Sequence, residues 1–229
     1  MRRPIQTPLL ATAAAVLGLL ALAPTASAVT RATTDFIAEF EGVCLTPCND
    51  PVGYATIGHG HLIAYRAVNK SDRKRVWVAN QKRPGRLTPG EAKRLLRKDL
   101  KSYEAAVLQR IKGVRVTAPM MTALTSFAFN LGPGYLDLKR SNGFTRQTNV
   151  AGKLRRGRYY KAARDMRIYD GVIQGGKRIV LAGLTRRRND EFRLMVRGIR
   201  QLEKCGTRCT TPEPPDPVDP GNSGGLQPR

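Results

Sequence analysis

Residues 36–63 read FIAEFEGVCLTPCNDPVGYATIGHGHLI, and the change of period inside this stretch decides the fold. Phe36, Ile37 and Phe40 recur at helical spacing. Gly42 follows, and glycine tolerates the left-handed conformation with which helices close. Glu41 is therefore expected on the last helical residue, beside carbonyls whose partial negative charge disfavours a second negative charge. A carboxyl that keeps its proton is what a general acid needs. Beyond it the text shortens its period: Val52, Gly53, Tyr54, Thr56, Ile57, Gly58, Gly60 and Leu62 read as short strands broken by turns. Asp50 follows Glu41 on a polar turn before Pro51, and Thr56 comes after it. A helix end feeding a small hairpin brings two carboxyls face to face across a cleft, in different surroundings. Singly, a glutamate at a helix end is a solvated group and an aspartate before proline is a turn former. In this order, together with Thr56, they point to paired-carboxylate chemistry.

The run Phe40-Glu41-Gly42, then Asp50, then Thr56-Ile57-Gly58-His59-Gly60-His61 resembles the phage-type lysozymes, the T4 and lambdoid endolysin family of glycoside hydrolases. The spacings among Glu41, Asp50 and Thr56 match that family without a gap. Ser126-Phe127-Ala128-Phe129-Asn130 and Gly183-Leu184-Thr185-Arg186-Arg187-Arg188 with Glu191 are similar to two further endolysin runs. Cys48 and His59 depart from it, standing where the family often has tyrosine. The resemblance implies an α+β, mainly helical fold, with a small β-hairpin lobe and a larger helical lobe joined by a long helix. It implies Glu41 as general acid, Asp50 as the base holding the attacking water and Thr56 as that water's second ligand, with Leu62 and Phe129 touching substrate. On residues alone, Phe127 and Phe129 read as core. One arginine of residues 186–188 is implied to hold Glu41; the alternative is a solvated ladder, since Arg187 and Glu191 stand at i,i+4. The implied reaction is inverting hydrolysis of the β-1,4 bond between N-acetylmuramic acid and N-acetylglucosamine in peptidoglycan. In that chemistry the carboxyls stand roughly 6.5–9.5 Å apart, and neither cofactor nor metal is needed. His61 is expected as a hydrogen-bonded structural residue, and His59 at the cleft wall or surface.

Residues 1–28 read as a secretory signal: Arg2 and Arg3, an apolar run, then Ala26-Ser27-Ala28 as a small-residue cleavage site. Its apolar stretch is short for a membrane span of about 20 residues. The chain is thus expected to be exported, extracellular and to begin at Val29. Residues 29–209 are expected to form the lysozyme-like catalytic domain implied by the resemblance, and residues 210–229 a disordered Pro/Gly-rich tail. The formal charge is +23, and removing Arg2 and Arg3 leaves +21. Such an excess predicts a polyanionic partner. No zinc, RNP or helix-turn-helix signature supports nucleic acid, and an exported protein meets anionic cell-wall polymers instead. A cationic wall- or membrane-binding antibacterial protein acting without catalysis is the alternative reading. A monomer without stable membrane insertion is expected.

Along the rest of the chain, residues 64–86 form a basic connector with one acid, Asp72, and no readable element. Trp77 there either stacks on a sugar or pins the loop. Residues 87–111 are the clearest helix, opened by the capping box Thr88-Pro89-Gly90-Glu91. Residues 116–131 read as a second helix, 142–168 as a turn and two short basic helices, 170–183 as a glycine-rich loop and 184–202 as the last helix. Cys44, Cys48, Cys205 and Cys209 allow three disulfide pairings. Their symmetrical spacing favours the local pairs 44–48 and 205–209 over cross pairs.

Overall fold

The structure, a computed structural model, describes residues 29–74, 76–78, 81–83, 86–138 and 148–206; of residues 73, 74, 76–78 and 81–83 only the backbone is described. The signal, the tail and Cys209 lie outside the described residues.

The long helix α3 (Pro89–Arg110) is the axis. Thr88 Oγ1 accepts the Glu91 N–H at 3.2 Å and Glu91 Oε2 accepts the Thr88 N–H at 2.8 Å, so the capping box read from sequence is formed. Along its length α3 presents three apolar sets, and each closes a different core. Leu95 packs with Ile57, Leu87 and Ala92. Leu96 and Leu100 pack with Val29, Ile37 and Phe129. Val107, Leu108 and the capping Ile111 enter the largest core, with Met120, Leu124, Phe127, Leu136, Leu154, Met166, Met195 and Ile199. One helix thereby runs from the small lobe into the large one.

The small lobe is an antiparallel sheet in the order β1 (Cys44–Asn49), β2 (Ala55–Gly58), β3 (His61–Ala64). It docks on α3 through Ile57 and Gly58. At Gly58 φ is +65°, and an added Cβ would lie 3.5 Å from Leu95, so glycine serves both the backbone and the approach. His61 Nδ1 meets Asp99 of α3 at 2.9 Å, the structural role expected of it. Between β3 and α3, where the sequence shows no period, the chain forms the short helix α2 (Lys70–Lys74) and a hairpin of β4 (Val76–Val78) and β5 (Gln81–Arg83). Elements of three to five residues are too short for a period to register. Trp77 lies on β4 opposite Lys82, and its side chain is outside the described set. Asp72 receives the Arg66 guanidinium through two bonds of 2.5 and 3.1 Å, and Arg66, then the Asn69 N–H, hold its carboxyl down at about 2.

Helix α1 (Arg31–Ala38) begins at Thr30, whose hydroxyl accepts the Thr33 N–H at 3.1 Å. It stops three residues before Glu41, which corrects the expectation that Glu41 ends the helix. The Phe40 N–H bonds to the Ile37 carbonyl at 3.1 Å, and this tighter turn takes the chain off the helical path before Glu41.

In the large lobe α4 (Ala118–Leu131), α5 (Val150–Arg155), α6 (Tyr159–Met166) and α7 (Ala182–Cys205) match the expected helices, with α7 longer at both ends. The expected loop before α7 is instead a hairpin, β6 (Gly171–Gln174) and β7 (Lys177–Val180), turning at Gly175 and Gly176 with φ of +56° and +74°. Two left-handed residues in a row are what a two-residue hairpin turn requires. Val172, Ile173, Ile179 and Val180 are exposed, so no buried face marked these strands.

Cys44 and Cys48 are bonded to each other, which rules out the cross pairings, and Cys205 is disulfide-bonded too.

Helices α4 and α7 meet closely at Gly198, where an added Cβ would stand 2.5 Å from Met120 Cγ and 3.0 Å from the Met120 backbone nitrogen. Gly198→Ala gains about 1 kcal/mol of helix propensity but overpacks the seam, at a cost of about 1–3 kcal/mol. The variant is expected to unfold at lower urea concentration than the parent, and an unchanged or raised midpoint would contradict the close packing.

Candidate active site

Glu41 sits in the turn after α1, with its side chain 15% exposed. Its Oε1 accepts Arg187 Nη1 at 2.6 Å. Arg187 lies on the second turn of α7, so of residues 186–188 it is the one that holds the acid. The arginine is itself buried and held from three sides. Its Nε reaches Ser126 Oγ at 3.3 Å and Glu191 Oε1 at 3.4 Å, and its Nη2 donates to the Ser126 carbonyl at 3.2 Å. Its guanidinium lies over the Phe40 ring, 5.4 Å from the centroid, so the residue before Glu41 also orients the partner of Glu41.

Glu191 is the hub beneath. Its Oε1 accepts Ser126 Oγ at 2.7 Å and Arg188 Nη2 at 3.0 Å, and Arg188 also donates to Asn130 Oδ1 at 2.9 Å. Burial pushes the Glu191 carboxyl up, against the pull of Arg188, Arg187 and Ser126. Burial likewise pushes Arg188 down to about 10, which leaves it charged at neutral pH. The i,i+4 spacing of Arg187 and Glu191 thus marks a buried network rather than a solvated ladder. Ser126 and Asn130 were not read as site residues. The signal was there: they stand at i,i+4 on a largely apolar helix, and both bond to side chains of α7.

Asp50 is fixed locally. Its Oδ1 accepts the N–H groups of Val52 and Tyr54 at 3.0 and 2.9 Å, while its backbone exchanges bonds with Tyr54 and Gly53. One oxygen is spent on the turn, and among the described residues Oδ2 has no hydrogen bond, so it remains available for a water or a substrate group. Thr56 on β2 is buried, and its hydroxyl donates to the Cys48 carbonyl at 3.4 Å. Cys48 opposes Thr56 and Cys44 opposes Gly58, so β1 carries two extra residues against β2. The Cys44–Cys48 disulfide clasps that bulge, its Cα atoms 6.2 Å apart. The clasp lies between Glu41 and Asp50 and shortens the path from one to the other.

Leu62 on β3 is the cross-strand partner of Thr56, partly exposed and on the same face of the sheet. Phe129 is elsewhere. It is 4% exposed, packed with Ile37, Leu96 and Leu100, and edge-to-face with Tyr103 at 5.0 Å. The cleft position implied by the resemblance is therefore corrected: the ring faces the core, as the residues alone suggested. His59 is also buried rather than on the surface. Burial holds the imidazole below its ordinary value, against the opposing pull of the nearby Glu41 and Gly42 carbonyls. It braces the turn that carries the acid. Among the described residues no group of three or more His, Cys, Asp or Glu side chains could hold a metal ion.

The phage lysozyme family matches residues 38–191, a span that includes Glu41, Asp50, Thr56, Arg187 and Glu191. The chain belongs to the phage lysozyme family. Membership makes it a glycosidase-type hydrolase that acts on the cell wall. Two solved structures are similar. The muramidase domain of SpmX from Asticaccaulis excentricus is 28% identical, with a TM-score of 0.57 over 73% of this chain and 97% of that one. The endolysin from Escherichia coli O157:H7 phage FAHEc1 is 25% identical, with a TM-score of 0.55 over 73% of this chain and 92% of that one. No curated protein matches the chain.

The network predicts different outcomes for two substitutions. Arg187→Ala leaves the Glu191 and Glu41 carboxylates without a shared cation, and truncating one member of such a buried set costs about 3–5 kcal/mol. Arg187→Lys keeps the charge but cannot serve Glu41, Ser126 and Glu191 at once. The lysine variant is expected to stay folded in urea titrations yet lyse walls at least tenfold more slowly; parent-like lysis would show that the geometry of the arginine is dispensable.

Proposed function

We propose that this chain is an exported muramidase that hydrolyses the β-1,4 bond between N-acetylmuramic acid and N-acetylglucosamine. Glu41 donates its proton to the leaving glycosidic oxygen. Asp50 takes a proton from a water that Thr56 helps to orient, and the water attacks the sugar from the opposite face, giving inversion. Leu62, beside Thr56, touches the sugar chain.

The observation that carries the reading is the fixing of Asp50. A turn-forming aspartate has no need of a free carboxylate oxygen, but a base does. Here the turn uses Oδ1 alone, and Thr56 stands on the neighbouring strand against Cys48, two residues before Asp50. Glu41, by contrast, is held through Oε1 by a buried arginine. Two carboxyls in such unlike surroundings suit an acid and a base.

The basic excess supports anionic wall polymers as a second partner. On the outer face of α7, Arg193, Arg197, Arg200 and Lys204 line a groove floored by Phe192 and Val196. No helix among the described residues is long and apolar enough to cross a membrane.

Turbidity loss of purified walls separates catalysis from charge-driven disruption. Glu41→Gln is expected to cut the release of new reducing ends by about 10²–10⁴-fold, the usual worth of a general acid, while the protein still folds and binds walls. Added salt is expected to weaken wall binding by both proteins. Clearing that survives Glu41→Gln, yields no reducing ends and vanishes with salt would establish the non-catalytic alternative.

A further inference from the structure

Glu104 on α3 is a buried acid that the proposed chemistry does not use. It is 3% exposed, beside Tyr103 and the cluster of Val29, Ile37, Leu96, Leu100 and Phe129. Its carboxylate accepts the backbone N–H of Val29, which is itself only 5% exposed. Burial pushes the Glu104 carboxyl up to about 7, and the Val29 N–H offsets this only in part. An amide gives that carboxylate one donor and no net charge, whereas a free amino terminus would give three donors and a full positive charge.

The Ala26-Ser27-Ala28 signature puts the cut of a signal peptidase between Ala28 and Val29. The nitrogen released there is the one already seated at Glu104. A cut one residue earlier or later would displace the new terminus by about 3.8 Å, out of hydrogen-bond reach. The sequence names the bond and the fold supplies an acceptor at the same atom.

We propose that Ala28–Val29 is the processing site of the exported chain and that the ammonium group released on Val29 forms a buried ion pair with Glu104, clamping the start of α1 to α3. The inference rests on the export reading above. In the cleavage a water adds across the amide: the C–N bond breaks, Ala28 leaves as a carboxylate, and the Val29 amine takes up a proton. Because Val29 is buried in the fold, the cut precedes folding. The consequence reaches the site. Helix α1 is short, Ile37 on it shares a cluster with Val29, and Glu41 follows three residues after its end. Securing the first residue of the mature chain secures the segment that carries the acid.

Two chains test the pairing, each prepared by traceless removal of a fusion partner: one beginning at Val29, the other at Ala28. Each is made with Glu104 and with Glu104→Gln, a change that keeps the shape and one hydrogen bond. In the Val29 chain Glu104→Gln is expected to lower the melting temperature by roughly 5 °C or more. In the Ala28 chain, where the charged amine is displaced, the same change is expected to be neutral or stabilising. The terminal amine of the Val29 chain is also expected to be acylated at least tenfold more slowly than that of the Ala28 chain. Equal effects of Glu104→Gln in both chains, or equal acylation rates, would overturn the ion pair. The cut is read separately, from the intact mass of protein exported from the full-length precursor. A start at Val29 supports the processing site and any other start overturns it, while the two prepared chains decide the ion pair in either case. Wall lysis by the Val29 chain, measured with Glu41 present and with Glu41→Gln, tests the catalytic reading independently.

Discussion

The bond between Glu41 and Arg187 spans 146 residues and is the constraint on which the site depends. Arg187 is 3% exposed, and a guanidinium cannot be buried without partners to replace water. Those partners come from three places: Glu41 after α1, Ser126 on α4 and Glu191 on α7 itself. The arginine is satisfied only when all three segments are docked, so the placement of the acid is conditional on the fold of the large lobe. A hydrophobic replacement of similar volume could fill such a space at no loss of stability. What it could not do is hold the Glu41 carboxylate by a directed bond of 2.6 Å.

Asp50 follows the opposite logic. Among the described residues its hydrogen bonds all lie within four residues, and the bulge behind it is clasped by a disulfide between neighbours in sequence. Glu41 is positioned by long-range packing and Asp50 by its own turn. The two supports meet on α3, which carries the sheet near Leu95 and the main core from Val107 onward. A bend of that helix between these points would change the gap between the carboxyls while leaving the immediate bonds of each intact.

That division also explains what the sequence discloses. Asp50, Thr56 and the α3 cap are local patterns, and local patterns survive in one dimension. The structural role of His61 followed from the resemblance and its place beside Gly60, whereas its partner Asp99, 38 residues away, was not legible. The choice among Arg186, Arg187 and Arg188 was not legible, because it depends on which direction of α7 faces α4, and three consecutive arginines look alike until the helix is packed. The end of α1 was misjudged because Gly42 is a good stop signal but the chain had already tightened at Phe40. The β6–β7 hairpin was missed because neither of its faces is buried, so no alternation separates inside from outside. Phe129 shows the limit of carrying a role over from a family: its burial against Tyr103 is a property of this packing, and the residue pattern alone had indicated it.

The charge of this protein divides in the same way. Among the described residues most of the basic side chains are exposed, as along the outer face of α7, where ions screen them within about 8–10 Å at ordinary salt. The charges that hold Glu41 are buried, where screening is weak and a lost partner is costly. Arg193 and Arg187 stand on one helix less than two turns apart, yet one belongs to a surface that salt can tune and the other to a network that salt hardly reaches. The exposed basic surface and the buried network that holds Glu41 are therefore separable in this fold. The first can drift with the composition of the surface, and the second is tied to a few buried atoms that cannot move independently of the core.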